Sequence, residues 1–387
     1  MISFDNTENA FKGKTNAELR RSYWLFKLIG SPFLVKIGAE LGPVALNLGL
    51  KGILKSTIFK QFVGGETIHD CSAAIKLLAD HKVGTILDYS VEGKESETDF
   101  DTCRDETIAT IHKAKTDKNI PFCVFKVTGL AHLQLLQKVS SNEVLAPAEK
   151  EQWDRVKNRV SKICQTAYEN DQPIFIDAEE SWIQPAIDEL ANTNMALCNK
   201  TKVIVYNTFQ LYRTDRLEYL RSSFQNAISQ SYYLGAKLVR GAYMEKERER
   251  ADELNYPSPI HTNKEGTDRD YDLALKFCVE NINNMALCAG SHNESSSLHL
   301  LELMKQHNLS ASDPRIYFSQ LLGMSDHISF NLSTNGYCVA KYVPYGPIHE
   351  VLPYLIRRAQ ENTSVEGQTG RELNLIMKEK QRRRALK

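Results

Sequence analysis

Eight short apolar runs of β-strand character alternate with longer amphipathic stretches along most of the chain. Runs that are apolar without interruption are typical of parallel strands covered on both faces. The stretches between them, such as residues 215–234 and 268–283, have the period of amphipathic helices. The eight strands are predicted at residues 83–89, 122–127, 173–177, 202–207, 236–241, 286–291, 315–320 and 339–344.

This alternation predicts an α/β fold: an eight-stranded β/α (TIM-like) barrel with an N-terminal helical region. Eight units over about 280 residues match the usual size of a closed barrel. An open, doubly wound sheet is the alternative, but neither G-x-G-x-x-G nor a P-loop occurs. We therefore expect a helical region at 1–80, the barrel at 81–365 and a basic tail at 366–387. The last stretch of that tail, 377–387, is expected to be frayed and solvated.

The balance of charge argues against one class of function. Lys plus Arg and Asp plus Glu both number 48 in the 387 residues, so the formal net charge is zero. Such a chain lacks the basic field that non-specific nucleic-acid binding needs, and no nucleic-acid partner is expected.

The cysteines and histidines indicate neither a disulfide framework nor a metal site. The eight cysteines form no C-x-x-C pair, and neither H-x-H nor H-E-x-x-H occurs. Scattered cysteines of this kind are typical of buried, reduced thiols in a cytosol-like compartment.

The region 25–62 is the most apolar part of the chain, but charged residues interrupt it. Its longest uncharged run is 41–50, whereas crossing a bilayer takes about 20 apolar residues. No transmembrane segment is expected, and residues 1–6 show no secretory signal. Lysines punctuate short apolar runs here, so helices could lie on a membrane surface. We favour the alternative that they pack on the barrel; the lysines are Lys27, Lys36, Lys51, Lys55 and Lys60.

Polar residues stand where the predicted strands end, and barrel enzymes place their chemistry at these positions. Asp177 followed by Glu180 could simply cap the next helix, and His292 could begin another. Lys126, amid apolar strand residues, needs a partner or a ligand, because an unpaired buried charge costs several kcal/mol or more. Together these positions indicate a site at the carboxyl ends of the strands.

The predicted eighth helix, 351–362, has two distinct faces. Apolar side chains share one face, and Tyr354, Arg357, Arg358 and Glu361 share the other at helical spacing. An ordinary surface helix with a solvated polar face is one interpretation. The other is a helix across the barrel mouth, where two guanidinium groups would bind an anionic substrate.

These segments together resemble the proline dehydrogenase family from roughly Phe59 to Arg371. The resemblance rests on residues 176–180, 237–243, 341–347 and 351–362, and it is greater to the monofunctional, mitochondrial-type enzymes. In the bifunctional bacterial enzymes the fifth strand reads Arg-Leu-Val-Lys-Gly-Ala-Tyr-Trp. Here Lys237 and Arg240 exchange the two charges, and Met244 replaces the tryptophan.

The resemblance implies FAD as the cofactor and L-proline as the substrate, oxidised to 1-pyrroline-5-carboxylate by loss of hydride from C5. Asp177 and Lys237 would be the catalytic residues. By resemblance the substrate is surrounded by Lys126, Asp177, Leu321, Tyr342, Tyr354, Arg357 and Arg358. The flavin would be held by Ala178, Asn207, Lys237, Val239, Arg240, Gly241, Ala242, Thr262, Lys264, Thr267, Ser291, His292, Gln320 and Glu361.

The family further implies quinone as the electron acceptor and peripheral contact with a membrane. The expected location is the cytoplasm, at the inner membrane, or the mitochondrion in a eukaryote. Hydroxyproline oxidation is an alternative activity. A Schiff-base aldolase with Lys126 or Lys237 as nucleophile and a non-catalytic binding barrel are less favoured.

Overall fold

The protein is described here by a computed structural model that covers residues 2–30, 52, 55–91, 94–364 and 368–386, without the side chains of 56 and 358–369. Its eight strands form a closed barrel in sequence order, with parallel pairing in each described pair. The predicted fold class is confirmed. The strands are β1 Gly84–Tyr89, β2 Phe122–Lys126, β3 Ile174–Asp177, β4 Val205–Gln210, β5 Leu234–Val239, β6 Met285–Gly290, β7 Ile316–Leu321 and β8 Val339–Tyr345.

Helices flank and separate these strands, and two single turns, Lys55–Phe59 (π) and Val127–Gly129 (3-10), accompany them. In chain order the helices are α1 Thr7–Phe11, α2 Asn16–Ile29, α3 Lys60–Phe62, α4 Ser72–Ala79, α5 Glu97–Thr116, α6 Leu133–Ser140, α7 Pro147–Glu169, α8 Gln184–Cys198, α9 Arg216–Ser229, α10 Met244–Glu253, α11 Lys264–Glu280, α12 Glu294–Gln306, α13 Asp326–Thr334, α14 Ile348–Ser364 and α15 Gln368–Ala385.

Two compact units make up the chain, and each is described by itself. The terminal unit comprises residues 1–92 and 320–387, and the central unit comprises residues 93–319. The division of the chain predicted from its sequence, at 80 and 365, stays a prediction.

The terminal unit contains β1, β8 and a helical core around them. Ile86 of β1 lies opposite Tyr342 of β8. One apolar cluster joins α1, α2, α14 and α15, with Phe26 of α2 packed edge-to-face on Phe62. The described part of the lysine-punctuated region thus contributes to a buried core, while Lys36 and Lys51 lie outside the described residues.

Helix α15 replaces the frayed tail that we expected at 377–387, and that expectation is wrong for the residues described. Leu375 and Ile376 join the apolar cluster. Glu379 is fully buried and accepts hydrogen bonds from Arg382 and Arg383, and Arg383 also donates to the Phe11 carbonyl at the end of α1. Arg383 is therefore held both by a carboxylate one turn away and by a carbonyl distant in sequence, and the local pattern did not reveal the second partner.

The central unit contains β2 to β6, most of β7 and helices α5 to α12. Seven of the eight predicted strands begin and end within two residues of the observed bounds, whereas β4 begins and ends three residues later than predicted. Asn199 explains the shift, because its side-chain oxygen accepts from the amides of Ile204 and Val205 and holds the preceding residues in a loop. Asn207 therefore lies inside β4, and the prediction that it ends the strand is wrong.

Several further features are plain in the described residues. None of the eight cysteines is in a disulfide, and seven of them are buried. No group of three His, Cys, Asp or Glu side chains there could hold a metal ion. Within the same part of the chain, no helix combines the length and the apolar character needed to cross a bilayer.

Candidate active site

Asp177, the last residue of β3, lies between two lysines in the central unit. Its carboxylate binds the Lys237 ammonium directly, and its other oxygen lies 3.6 Å from Lys126 Nζ. The pairing of Lys126 with Asp177 and of Thr208 with Lys237 puts these side chains on one face of the sheet. Asp177 is 9% exposed. The two lysines and one carboxylate leave this trio with one surplus positive charge, which favours an anionic ligand.

Glu179 ties the loop after β3 to the loop after β2. One carboxylate oxygen accepts from the Thr128 amide at 3.0 Å, and the other binds the Thr128 hydroxyl. Burial, and then the nearby Glu180 carboxylate, raise the pKa of Glu179 to about 7, although both bonds to Thr128 lower it. The loop after β2, which follows Lys126, and the loop after β3, which follows Asp177, are therefore fixed to each other.

A buried polar network behind β3 and β4 supports the same loop from α8. Asp188 accepts two hydrogen bonds from Arg216, at 2.8 and 3.0 Å, and one from the side chain of Gln184, at 3.0 Å. Gln184 in turn accepts from the Glu179 amide at 2.9 Å. We refer to Gln184, Asp188, Asn207 and Arg216 as the Asp188 network.

Asn207, a predicted flavin residue, belongs to this network. Its side-chain amide donates to Asp188 at 2.9 Å. It lies opposite Ala236, while the next residue, Thr208, lies opposite Lys237. Successive side chains of a strand point to opposite faces, so Asn207 faces away from the face that carries Lys237.

Gln210, which sequence reasoning missed, is the β4 residue with the better position. It ends the strand two residues after Thr208, on the face of Lys237, and is 1% exposed. Its amide donates to the Glu179 carbonyl at 2.8 Å, while its Oε1 has no hydrogen-bond partner among the described residues. The sequence does show a polar residue two positions after Thr208, as expected for the same face of a strand. It was missed because β4 was predicted to end at residue 207.

Arg240 occupies the start of the loop after β5 and binds α11 and the loop before α12. Its guanidinium donates to Asp268 of α11 at 2.8 and 3.1 Å and to the Ser291 hydroxyl at 2.5 Å. It also stacks 4.4 Å from the Tyr271 ring. The next residue, Gly241, has a φ of +136°, and an added Cβ would lie 2.3 Å from the Tyr212 ring.

The N-termini of α11 and α12 carry most of the other predicted flavin residues. Asn263 and Asn293 cap the two helices. Free amides and the helix dipole make such ends favourable for phosphate groups. The predicted residues near these two ends are Thr262, Lys264 and Thr267 at α11, and Ser291 and His292 before α12.

The terminal unit carries the remaining predicted residues. Gln320 is buried, with Oε1 accepting from the Ser329 hydroxyl at 2.8 Å. Leu321 packs against the apolar cluster that includes Tyr354, and Tyr342 is buried in β8. Tyr354 of α14 is buried, so the predicted polar face of this helix is not solvated at that residue. Arg357 is half-buried, and the side chains of Arg358 and Glu361 lie outside the described residues.

Comparison with known proteins decides the family. The family model for proline dehydrogenase matches residues 71–371. "Proline dehydrogenase 1, mitochondrial" of Dictyostelium discoideum is 32% identical, over 98% of this chain and 74% of that protein. This chain belongs to the proline dehydrogenase family.

Two further comparisons qualify the family assignment. "Hydroxyproline dehydrogenase" of Xenopus laevis is 29% identical over 96% of this chain and 88% of that protein. A solved structure, proline utilization A from Bdellovibrio bacteriovorus, has a TM-score of 0.74 at 20% identity and covers 92% of this chain. That likeness shows the fold alone, and this chain spans 38% of that structure's length.

Membership of the proline dehydrogenase family confirms the predicted family and an oxidoreductase that acts on proline. The match leaves the Schiff-base aldolase and the non-catalytic barrel without support. Within the family barrel, the central unit brings Lys126, Asp177 and Lys237 together, and Asn207 faces away from them. The roles of individual residues toward substrate and flavin stay predictions.

Proposed function

We propose that this chain oxidises L-proline to 1-pyrroline-5-carboxylate with FAD as its cofactor. The observation that carries the proposal is Asp177 held between Lys126 and Lys237 at the carboxyl end of β3, in a chain that matches the family model. Barrel enzymes perform their chemistry at this end of the strands.

The residues present fit a flavin dinucleotide. At the end of β4, a buried Gln210 oxygen lacks a hydrogen-bond partner among the described residues and suits a flavin donor. At β5 and β6, Lys264 and the N-termini of α11 and α12 suit a pyrophosphate, and Arg240 braces both helices. When bound, FAD would supply the redox chemistry by accepting hydride from proline C5.

The chain's own residues bind and orient the substrate. Lys126 and Lys237 favour the approach of the proline carboxylate, and Asp177 keeps both ammonium groups in place. We assign Arg357 and Arg358 as the carboxylate clamp, since a guanidinium binds a carboxylate through two parallel hydrogen bonds. Tyr342, Tyr354 and Leu321 are assigned to the apolar part of the proline ring.

Quinone is the acceptor that we propose, with the protein held peripherally at a membrane. An exposed stripe of α2 supports membrane contact: Trp24 is 59% exposed and Leu28 52% exposed, with Arg20 and Lys27 beside them. Tryptophan with flanking cations is typical of helices at the membrane interface. Several relatives are named as mitochondrial enzymes, and we propose the same compartment if the host is a eukaryote.

The decisive experiment is anaerobic mixing of the purified protein with L-proline while the flavin spectrum is recorded. Bleaching of bound FAD by proline is the expected result. A protein that binds no FAD, or whose flavin is not reduced by proline, would overturn the proposed function.

Hydroxyproline is the second candidate substrate, because one relative carries that name. Tyr342, which is 7% exposed, is assigned to the proline ring, so we expect the extra hydroxyl of hydroxyproline to crowd its ring. We expect kcat/KM for L-proline to exceed that for trans-4-hydroxy-L-proline by at least about tenfold. Tyr342→Ser should narrow the ratio, chiefly by harming proline oxidation. Equal use of both substrates by the unmodified enzyme would show that Tyr342 does not set the preference.

A further inference from the structure

A cavity of about 520 Å³ lies within the terminal unit, outside the proposed proline site. Helices α2 and α4 form two of its sides through Arg21, Ala74 and Leu77. Phe59 and Phe330 supply aromatic walls, and Lys341 of β8 lies at its floor. Pockets of about 300–1,000 Å³ are the usual size for small-molecule ligands.

The two strands that line part of the cavity, β7 and β8, also carry proposed substrate residues of this unit. Leu322 and Gly323, which line it, directly follow Leu321 at the end of β7. Lys341 precedes Tyr342 in β8 and donates to the Leu321 carbonyl at 3.3 Å. A ligand in the cavity would therefore lie against the same two strands, β7 and β8, that present Leu321 and Tyr342.

The charges around the cavity nearly cancel and are largely paired. Its lining includes five lysine or arginine side chains and four carboxylates. Asp326 lies 2.7 Å from both Lys14 and Lys341, and Lys55 lies 2.6 Å from Glu66. Such a lining offers little net attraction to a free anion, which argues against a phosphate site.

Arg21 offers a buried donor to a ligand in the cavity. Its Nε is buried and has no hydrogen-bond partner among the described residues. The other walls are chiefly aliphatic and aromatic, including Phe59, Leu78 and Phe330. A neutral, flat, mostly apolar molecule with a carbonyl oxygen to accept from Arg21 satisfies both features, because a buried donor without a partner costs about 1–3 kcal/mol.

We propose that this cavity binds the head group of the quinone that accepts the electrons, with one quinone carbonyl oxygen accepting from Arg21. The inference rests on the proposed function and adds the location of the acceptor. The overall reaction balances, since proline loses two hydrogens to become 1-pyrroline-5-carboxylate and the quinone gains two to become its hydroquinone. Both substrates would then contact β7 and β8, one on each side of that backbone.

The first test fills the cavity with Ala74→Trp and uses Ala73→Trp as its matched control. Ala74 lines the cavity, whereas the neighbouring Ala73 is exposed on the same helix. Each variant is reduced anaerobically by proline and then mixed with duroquinone in a stopped-flow instrument. We expect reoxidation by duroquinone to slow at least about tenfold in Ala74→Trp only, while the rate of flavin reduction by proline stays within twofold in both.

The second test covers the outcome in which Ala74→Trp fails to fold. Arg21→Gln removes the charged donor, and Arg20→Gln changes an exposed arginine one position away that does not line the cavity. Calorimetric titration of the oxidised protein with duroquinone should give a Kd at least about fivefold higher for Arg21→Gln alone, the loss expected for a hydrogen bond. Titration with inorganic phosphate should show no binding.

The outcomes separate this inference from the proposed function. Unchanged reoxidation in a folded Ala74→Trp protein, or an unchanged duroquinone Kd in Arg21→Gln, would overturn the acceptor site. Phosphate binding that Arg21→Gln abolishes would overturn the quinone assignment in favour of an anion site. Failure of proline to reduce the unmodified protein would instead refute the proposed function.

Discussion

The two compact units hold their proposed active-site residues by different physical means. In the central unit, Asp177 and the loop after it are fixed by buried hydrogen bonds that run from Glu179 through Gln184 to Asp188 and Arg216. In the terminal unit, Tyr354 and Leu321 are packed into an apolar cluster formed by α1, α2, α14 and α15. Hydrogen bonds are directional, whereas apolar packing is not. The central unit therefore holds its charged side chains in fixed directions, whereas the terminal unit holds its proposed residues by packing.

The terminal unit also has a charged cluster, but it lies on the other face of its strand. Lys341 and Tyr342 are neighbours in β8 and so point in opposite directions. Burial alone would raise the pKa of Asp326, but Lys14 and Lys341 outweigh burial and hold that pKa well below its usual range. This cluster fastens α13 to β8 and to the chain before α2, which is a structural task.

The largest effect is expected when the shared carboxylate of the central unit is removed. Asp177→Ala leaves Lys126 and Lys237 without the carboxylate that lies between them. Truncating one partner of a buried charge pair costs about 2–5 kcal/mol, so kcat/KM for proline should fall at least about 30-fold. Steady-state kinetics with a dye acceptor measure it. The exposed pair of Asp171 with Lys202 provides the control, and Asp171→Ala should retain full activity.

A somewhat smaller loss of activity is expected when Arg357, one of the two arginines proposed to bind the proline carboxylate, is replaced. Arg357→Met removes one guanidinium while keeping the length of the side chain and the apolar packing of α14. The KM for proline should rise, and kcat/KM should fall by more than about tenfold. Arg371, also on the terminal unit but paired with Asp5 at the surface, supplies the control variant Arg371→Met. Wild-type kinetics in Arg357→Met would place this helix away from the substrate.

Replacing the buried carboxylates Asp188 and Asp326 should affect the stability of the protein equally but the rate of flavin reduction unequally. Asp188→Ala leaves Arg216 buried without its carboxylate partner, and Asp326→Ala does the same to Lys341. Each substitution should therefore lower the free energy of unfolding by about 3–5 kcal/mol. Only the Asp188 network continues by hydrogen bonds to the loop that follows Asp177. We therefore expect the rate of flavin reduction by proline to fall several-fold more in Asp188→Ala. Urea denaturation and stopped-flow reduction measure the two quantities, and equal rates in the two variants would remove the distinction between the units.

The smallest effect expected is on the pH dependence of the free energy of unfolding, to which Glu179 of the central unit contributes. Burial, then Glu180, raise the pKa of Glu179 to about 7 from its ordinary 4.5, so the folded protein retains a proton that the unfolded chain releases. Stability from this group is fully present below the unfolded value and is lost as the pH rises through about 7. Glu179→Gln should therefore flatten the fall in unfolding free energy over that range. Glu189→Gln, at an exposed position on α8, should leave the slope unchanged.

Eight strands and the polar residues at their ends were predictable because both are local patterns. An uninterrupted apolar run reports burial on two faces, and a lysine such as Lys126 within it signals a partner. The pairing of Asp177 with Lys237, 60 residues apart, was not predicted from local pattern. The sequence shows that a lysine and an arginine have exchanged positions at 237 and 240, but it does not show which partners they bind. In the structure Lys237 binds Asp177, and Arg240 binds Asp268 and Ser291.

The amino-acid sequence by itself determined the barrel, the family and the set of strand-end residues, since short-range periodicity and motif residues carry that information. Tertiary structure alone decided which residue of β4 faces Lys237. The side chain of Asn199 binds the carbonyl of Tyr233, 34 residues away, and the amides that open β4. These bonds begin β4 three residues later than the local pattern predicts, and a shift by an odd number exchanges the two faces. Gln210 consequently takes the position predicted for Asn207, and Asn207 binds Asp188 instead.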